Sequence, residues 1–342
     1  SAVIKNAGGK NMKKLFKIFC AVISVCMIVT ACACEDVADD REYTFVVPDG
    51  APALSVVKLM NEYPEIGGVK MKYKVVSAEN IAAEFNSADI AIMPTNASAK
   101  LYNKGINLKL AALNVFGNLY MVATKNISSL EDLKGEVVYN IGEGKTTDLL
   151  LKYFLTAKGI EYEVSDVKSE GKVALHYEGD AQSVVAALMK GQAFFGVLGQ
   201  PVVANAINKL TASGKTAYSA FDFQAAWKLD SGDDHSFPQA GTVVKGAVAE
   251  DKLFMNALYA ALEENGEFIL NNSEQISGIL GKNGSSLTAA FTREIVESCN
   301  IGCEKAVMLK SSLENYFTKI VAFDKTFVGG KLPDDGYYYS FS

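Results

Sequence analysis

Histidine is scarce in this chain: 342 residues hold two, His176 and His235. Four of the six cysteines fall within the first 34 residues, so only Cys299 and Cys303 lie in the body. Two cysteines and two distant histidines make no ligand cluster, and no metal site is expected. Neither histidine lies near a nucleophile signature such as Gly-x-Ser-x-Gly, and no catalytic set emerges. A phosphate loop is also missing. Gly142-Glu143-Gly144-Lys145-Thr146-Thr147 resembles one, but the glycine required five residues before the Gly-Lys pair is Tyr139. No apolar run spans a bilayer comfortably, since Ile18 to Val29 is only 12 residues. Basic residues are outnumbered, 33 to 39, for a net charge of −6. An acidic body disfavours nucleic acid. No Pro/Ser-rich linker divides the chain. These absences exclude a metalloenzyme, a nucleotide hydrolase and a nucleic-acid binder; no cofactor is expected.

What is present begins with a leader. Met12-Lys13-Lys14-Leu15-Phe16-Lys17 is basic, Ile18 to Val29 is a short apolar core, and Val29-Thr30-Ala31-Cys32 resembles a bacterial lipobox. The expectation is cleavage before Cys32 and lipidation of that residue; cleavage before Cys34 is the alternative. Residues 1–11 precede Met12, the expected natural start. Residues 1–31 carry five lysines and no acid, so their removal takes the charge from −6 to −11. Membrane contact then rests on the lipid alone. In that compartment a disulfide between Cys299 and Cys303 is allowed. Four-residue spacing on a regular helix opposes it, whereas Asn300 and Gly302 could break the helix between them. Both states stay open.

The body, 49% hydrophobic over the whole sequence, alternates strand and helix signals, which implies α/β lobes with doubly wound parallel sheets. Tyr43–Val47 reads as a β-branched strand. Val69, Met71, Tyr73 and Val75 alternate with Lys70, Lys72 and Lys74, a half-exposed strand. Ile90–Met93 and Leu108–Val115 are apolar runs of strand length. After Val244 the stripes turn helical, at 253–261, at Leu287, Phe291, Ile295 and Val296, and at 309–320. The tyrosine-rich tail 337–339 should dock on the surface.

The pattern echoes itself. A buried strand leads into Pro94-Thr95-Asn96 and then a helix; about a hundred residues on, another leads into Gly199-Gln200-Pro201. Asp49-Gly50-Ala51-Pro52 and Glu143-Gly144-Lys145-Thr146 form a second matched pair. Turns past the carboxyl ends of strands are where open α/β sheets bind ligands. Thr95-Asn96 reads as an N-cap pair whose free amides and side chains also contact ligand. Gly144 to Thr147, at a helix start, makes a cradle for an anion or polar group. Lys145 either supplies a charge there or faces solvent. Asn118 and Tyr120 flank a crossing between halves; Tyr120 is either a ligand-stacking ring or a buried aromatic with a satisfied hydroxyl. Trp227 reads as packing. Asn300 is a weaker candidate.

The lipobox, Pro48-Asp49-Gly50-Ala51-Pro52-Ala53, the segment Ala88–Lys100, Ser129-Leu130-Glu131-Asp132-Leu133-Lys134-Gly135 and the tail Gly329–Asp335 resemble periplasmic-type solute-binding lipoproteins. The similarity is to the nitrate/sulfonate/taurine and thiamine-pyrimidine-like branch of ABC importers, over nearly the whole mature chain. It implies a type 2 periplasmic-binding-protein fold, two α/β lobes joined by two hinge strands, with C-terminal helices. The implied division is 1–31 leader, 32–41 tether, 42–117 first lobe, 118–241 second lobe, and 242–342 return to the first lobe with tail. The implied ligand loops fall on Asp49, Gly50 and Pro52; Pro94, Thr95 and Asn96; Asn118 and Tyr120; Gly144, Lys145, Thr146 and Thr147; and Gly199, Gln200 and Pro201. Lys145, Glu143 and Gln200 depart from the hydroxyl and amide character of sulfonate-type sites.

The expected function is therefore non-enzymatic: a lipid-anchored monomer on the outer face of the cell membrane that captures a small solute and hands it to an ABC permease. An enzyme of pyrimidine-synthase type on the same fold, needing a reactive group such as Lys145, and a ligand sensor without transport are the alternatives.

Overall fold

The computed structural model describes residues 40–233, 235–287 and 290–341. Cys32, Cys34 and the leader lie outside them. Among the described residues, thirteen strands form two sheets. In the first, of seven strands, the order is β13 (Ile301–Lys305), β5 (Leu108–Val115), β12 (Ala240–Lys245), β4 (Ile90–Pro94), β1 (Glu42–Pro48), β3 (Val69–Val76) and β2 (Glu65–Ile66). In the second, of six, it is β11 (Tyr218–Asp222), β6 (Leu119–Ala123), β10 (Phe195–Gly199), β7 (Val137–Ile141), β9 (Val173–Glu178) and β8 (Tyr162–Val164).

Local pattern explains the parallel part. β3 alternates buried Val69 and Met71 with exposed Lys70, Lys72 and Lys74, because side chains of a strand point to opposite faces in turn. β1 lies parallel between β3 and β4, with Phe45 opposite Tyr73 and Ile90. The alternation leads to an expectation of parallel sheets, but both are mixed; β12 inserts antiparallel between β4 and β5. Gly241 permits this, since a Cβ there would stand 2.3 Å from the Ala112 carbonyl oxygen. β13, β6 and β11 also pair antiparallel to their neighbours.

The chain leaves the first sheet at Val115 and enters the second at Leu119. It returns between the Phe223–Ser231 helix and Ala240. The two crossings touch. Gln239 N–H donates to Val115 O at 2.8 Å. Gly117, at φ 73°, leaves room for Phe237, whose Cζ would be 2.6 Å from an added Cβ. That backbone angle and that contact both require glycine.

Residues 242–342 are expected with the first lobe, yet helix Lys310–Val321 packs across onto the second. Tyr316 stacks on Phe237 (5.8 Å, 24°) and meets Trp227 edge-on at 5.5 Å. Lys319 Nζ reaches Asp230 at 2.6 Å and donates to the Tyr153 hydroxyl at 2.8 Å. The tail docks as expected: Tyr337 is fully buried, and its hydroxyl lies 2.5 Å from Ser98 Oγ. Of the stripe Leu287, Phe291, Ile295 and Val296, the last two lie in helix Arg293–Ser298. Leu287 precedes it because Ser285 and Ser286 are held in a loop by Asp49. Cys299 and Cys303 are free thiols in this structure, the unbridged one of the two states left open above. Cys299 closes the helix and donates to Ile295 O at 3.2 Å, whereas Cys303 belongs to β13. Burial pushes both thiols up to about 12.

Candidate functional site

Strand direction fixes where the nominated turns point. β4 and β5 both run antiparallel to β12, so they are parallel to each other, and β1 is parallel to β4. Their carboxyl ends therefore lie at the face from which Val115 crosses over. β10 runs antiparallel to β6 and parallel to β7, so both end where β6 begins. Strand order reverses between β1 and β4 in one sheet and between β7 and β10 in the other. These are the switch points where ligands bind in open α/β sheets. Each of the four strands feeds a helix: Ala51–Leu54, Thr95–Asn103, Thr146–Ala157 and Val202–Ala212.

Several nominated side chains are engaged by the protein itself. Asp49 accepts from Ser285 Oγ (2.5 Å), Ser286 N–H (2.8 Å) and Ser286 Oγ (2.6 Å). Its carboxylate pins the 285–287 loop. Gly50, at φ 112°, turns the chain into a helix with Pro52 in its first turn. Thr95 does not cap its helix. It is 1% exposed and donates its hydroxyl to Pro238 O at 2.8 Å, while its N–H donates to Gln239 O at 3.0 Å. Thr95 thus ties the β4 turn to the second crossing. Pro94 occupies the N-cap without a side-chain bond, and Asn96 is half-buried in the first turn.

Asn118 and Gln200 are brought together. Asn118 Nδ2 donates to Gln200 O at 3.1 Å, and Gln200 N–H donates to Asn118 O at 2.9 Å. Gln200 Oε1 accepts from Ala204 N–H at 3.2 Å, at the start of the helix that follows Pro201. Gly199 leaves room beside this pair; a Cβ there would come 3.4 Å from Asn118 Oδ1. That Oδ1 is buried and has no donor among the described residues.

The cradle rests on a residue that sequence reasoning passed over. Asp148 is fully buried. Its Oδ2 accepts from Gly144 N–H at 2.8 Å and from Lys152 Nζ at 2.9 Å, and its Oδ1 accepts from the Tyr177 hydroxyl at 2.7 Å. The carboxylate in the first helical turn fixes the loop from below, where charge-assisted bonds are strong. Its position beside Thr147 was the available signal. Thr147 donates to Ile141 O at 3.3 Å, and Thr146 opens the helix. Lys145 is exposed, with Nζ 3.9 Å from Glu79 Oε1. Glu79 follows β3 of the first sheet, so this loop faces the opposite lobe.

Tyr120 is parted from the others. Its hydroxyl donates to Ser298 O at 3.3 Å, and its ring lines a cavity with Asn300 beside the first crossing. Burial, and then the nearby Asp222 charge, push its phenol up to about 12, so it stays a donor. Trp227 is fully buried packing, as expected.

No protein-family model matches the sequence, and no curated protein is similar to it at a significant level. Solved structures are similar in fold. An ABC transporter protein from Parabacteroides distasonis superposes with a TM-score of 0.75 at 24% identity, covering 89% of this chain and 100% of that one. The periplasmic aliphatic sulphonate binding protein SsuA from Escherichia coli gives 0.62 at 14% identity, over 88% and 98%. The ligand-binding component of an ABC-type import system from Staphylococcus aureus gives 0.59 at 14% identity, over 89% and 100%. The fold of this chain is that of periplasmic solute-binding proteins of ABC transporters.

Proposed function

We propose that the protein is an extracytoplasmic solute-binding lipoprotein of an ABC importer, anchored by lipid on Cys32 and acting as a monomer. It captures a small organic or anionic solute between the lobes and presents it to the permease. The observation that carries this reading is the opposition of the two switch points. Four strand-to-helix turns, at 49–52, 94–96, 144–147 and 199–201, project from two sheets toward one interlobe face. Helix N-termini favour negative charge, and the buried Asn118 Oδ1 accepts a donor from the guest. Closure follows from contacts that the guest makes with both lobes. The enzyme reading needs a reactive Lys145, and that amine instead lies exposed near Glu79.

A thermal-shift screen of the mature protein with aliphatic sulfonates, taurine, nitrate and pyrimidines tests this. A guest at a hundred times its Kd adds about 2.7 kcal/mol of stability. Asn96→Ala and Thr146→Ala should reduce that rise. A rise unchanged in both variants, or no rise with any compound, overturns the reading.

A further inference from the structure

The cavity at the first crossing has a volume of about 340 Å³, within the range of small-molecule sites. It is not the face just described. Its walls come from the outer edges of the sheets: the start of β13 beside β5, and the end of β11 beside β6. In the first sheet two strands, β5 and β12, stand between it and β4. Both lobes and both crossings contribute. Phe116 and Asn300 come from the first sheet's side, Tyr120, Asp222 and Lys228 from the second's, and Ser236 from the returning crossing.

The lining holds both signs of charge within one small volume. Asp222 and Lys228 are exposed. The bonds that Asp222 accepts, from Ala225 N–H at 2.9 Å and Gln224 Nε2 at 3.1 Å, both use Oδ1. Ser236 is 3% exposed, and its Oγ has no hydrogen-bond partner among the described residues. A buried hydroxyl without a partner is costly, and a guest that bonds it would offset that cost. Phe116, with the His235 ring 5.6 Å away and tilted by 34°, gives the cavity an aromatic wall.

We infer that this cavity is a second binding site, for a zwitterion of free amino-acid size. The ammonium faces Asp222, the carboxylate faces Lys228 and the Ser236 hydroxyl, and the apolar part lies on Phe116. An occupant bonded to Asp222, Lys228 and Ser236 and packed on Phe116 touches both sides of the hinge and so favours one angle between them. Affinity at the main cleft and at the hinge edge must then be coupled reciprocally.

Calorimetry and ligand-observed NMR on the full chain, with each standard L-amino acid at about 10 mM, above the millimolar constants of weak sites, test the assignment. At least one amino acid should bind saturably. Lys228→Ala, at an exposed position, and Ser236→Ala, which removes a hydroxyl without a partner, should each weaken it about tenfold. Asn96→Ala, on the interlobe cleft, should leave it unchanged. No saturable binding in the wild-type protein overturns the proposal. So does binding that both hinge-edge variants leave intact, or binding that Asn96→Ala weakens as much as they do. The sulfonate and pyrimidine screen reads the other cleft, so the two results fail separately.

Discussion

Two of the contacts between the lobes are of opposite character. On one face, Trp227, Phe237 and Tyr316 form an aromatic seam in which each ring is at most 1% exposed, with Tyr153 5.5 Å from Trp227. At the switch-point face, the contact between charged side chains is Lys145 with Glu79, 3.9 Å apart and at least half exposed. Aromatic pairs add about 0.5–1.5 kcal/mol each beyond the area they bury. An exposed ion pair is worth about 0–1 kcal/mol. The lobes are therefore held permanently at the seam and loosely at the cleft, and opening is expected on the polar side.

The strongest way to break that contrast is Trp227→Ala. It empties the seam and should cost about 3–5 kcal/mol in denaturant unfolding. A loss below 1 kcal/mol would mean that the seam does not hold the lobes together. Asp148→Asn comes next. It takes away the nearer of the two carboxylates that Lys152 meets, the other being Glu143 at 3.8 Å, and weakens the Gly144 anchor, and should cost about 1–3 kcal/mol. Because it acts under the cradle, solute binding should fall with it, while the seam's Trp227 fluorescence stays as in the wild type.

Acid sharpens the comparison further. Burial raises the Asp230 carboxyl, but the Lys319 ammonium and the Tyr153 hydroxyl outweigh it, and the group ends below its ordinary 3.8. A depressed carboxylate contributes stability above its unfolded value, and that contribution is lost as pH falls through the folded one. Burial lowers Lys319, but Asp230 and Tyr153 raise it above its ordinary 10.5, so its share is present below that value and lost at higher pH. Trp227 fluorescence should therefore be flat between these limits and change below about pH 3.8. Asp230→Asn should remove the acid-side change. The smallest effect is expected from Glu79→Gln, at about 0–1 kcal/mol and vanishing in high salt. A larger loss would make the cleft pair a second seam.

Much of this layout was legible in residue patterns. The lysine alternation of β3 and the apolar run of β5 announce themselves, because local periodicity reports one buried face. The strand-to-helix turns were found for the same reason. What escaped depends on partners distant in sequence. Nothing local says that β12 inserts antiparallel between β4 and β5, or that helix Lys310–Val321 crosses to the other lobe. Thr95 has the residue type and position of a cap, yet its acceptor is Pro238, 143 residues away. Asp148 has only its place beside Thr147 as a local signal; its role comes from Tyr177 and Lys152 closing around it. The hinge-edge cavity gathers residues from 116 to 301, and only Tyr120 and Asn300 among them had been singled out.

The insertion of β12 also dictates the order in which the molecule can be completed. The second sheet needs nothing beyond residue 222, whereas β4 and β5 wait for residues 240–245 to fill the gap between them, and β5 waits for 301–305 to cover its edge. During synthesis β5 and the open edge of β4 thus stay unpaired the longest, bare apolar edges that invite aggregation. A chain released before residue 240 would carry one finished sheet and one that cannot close.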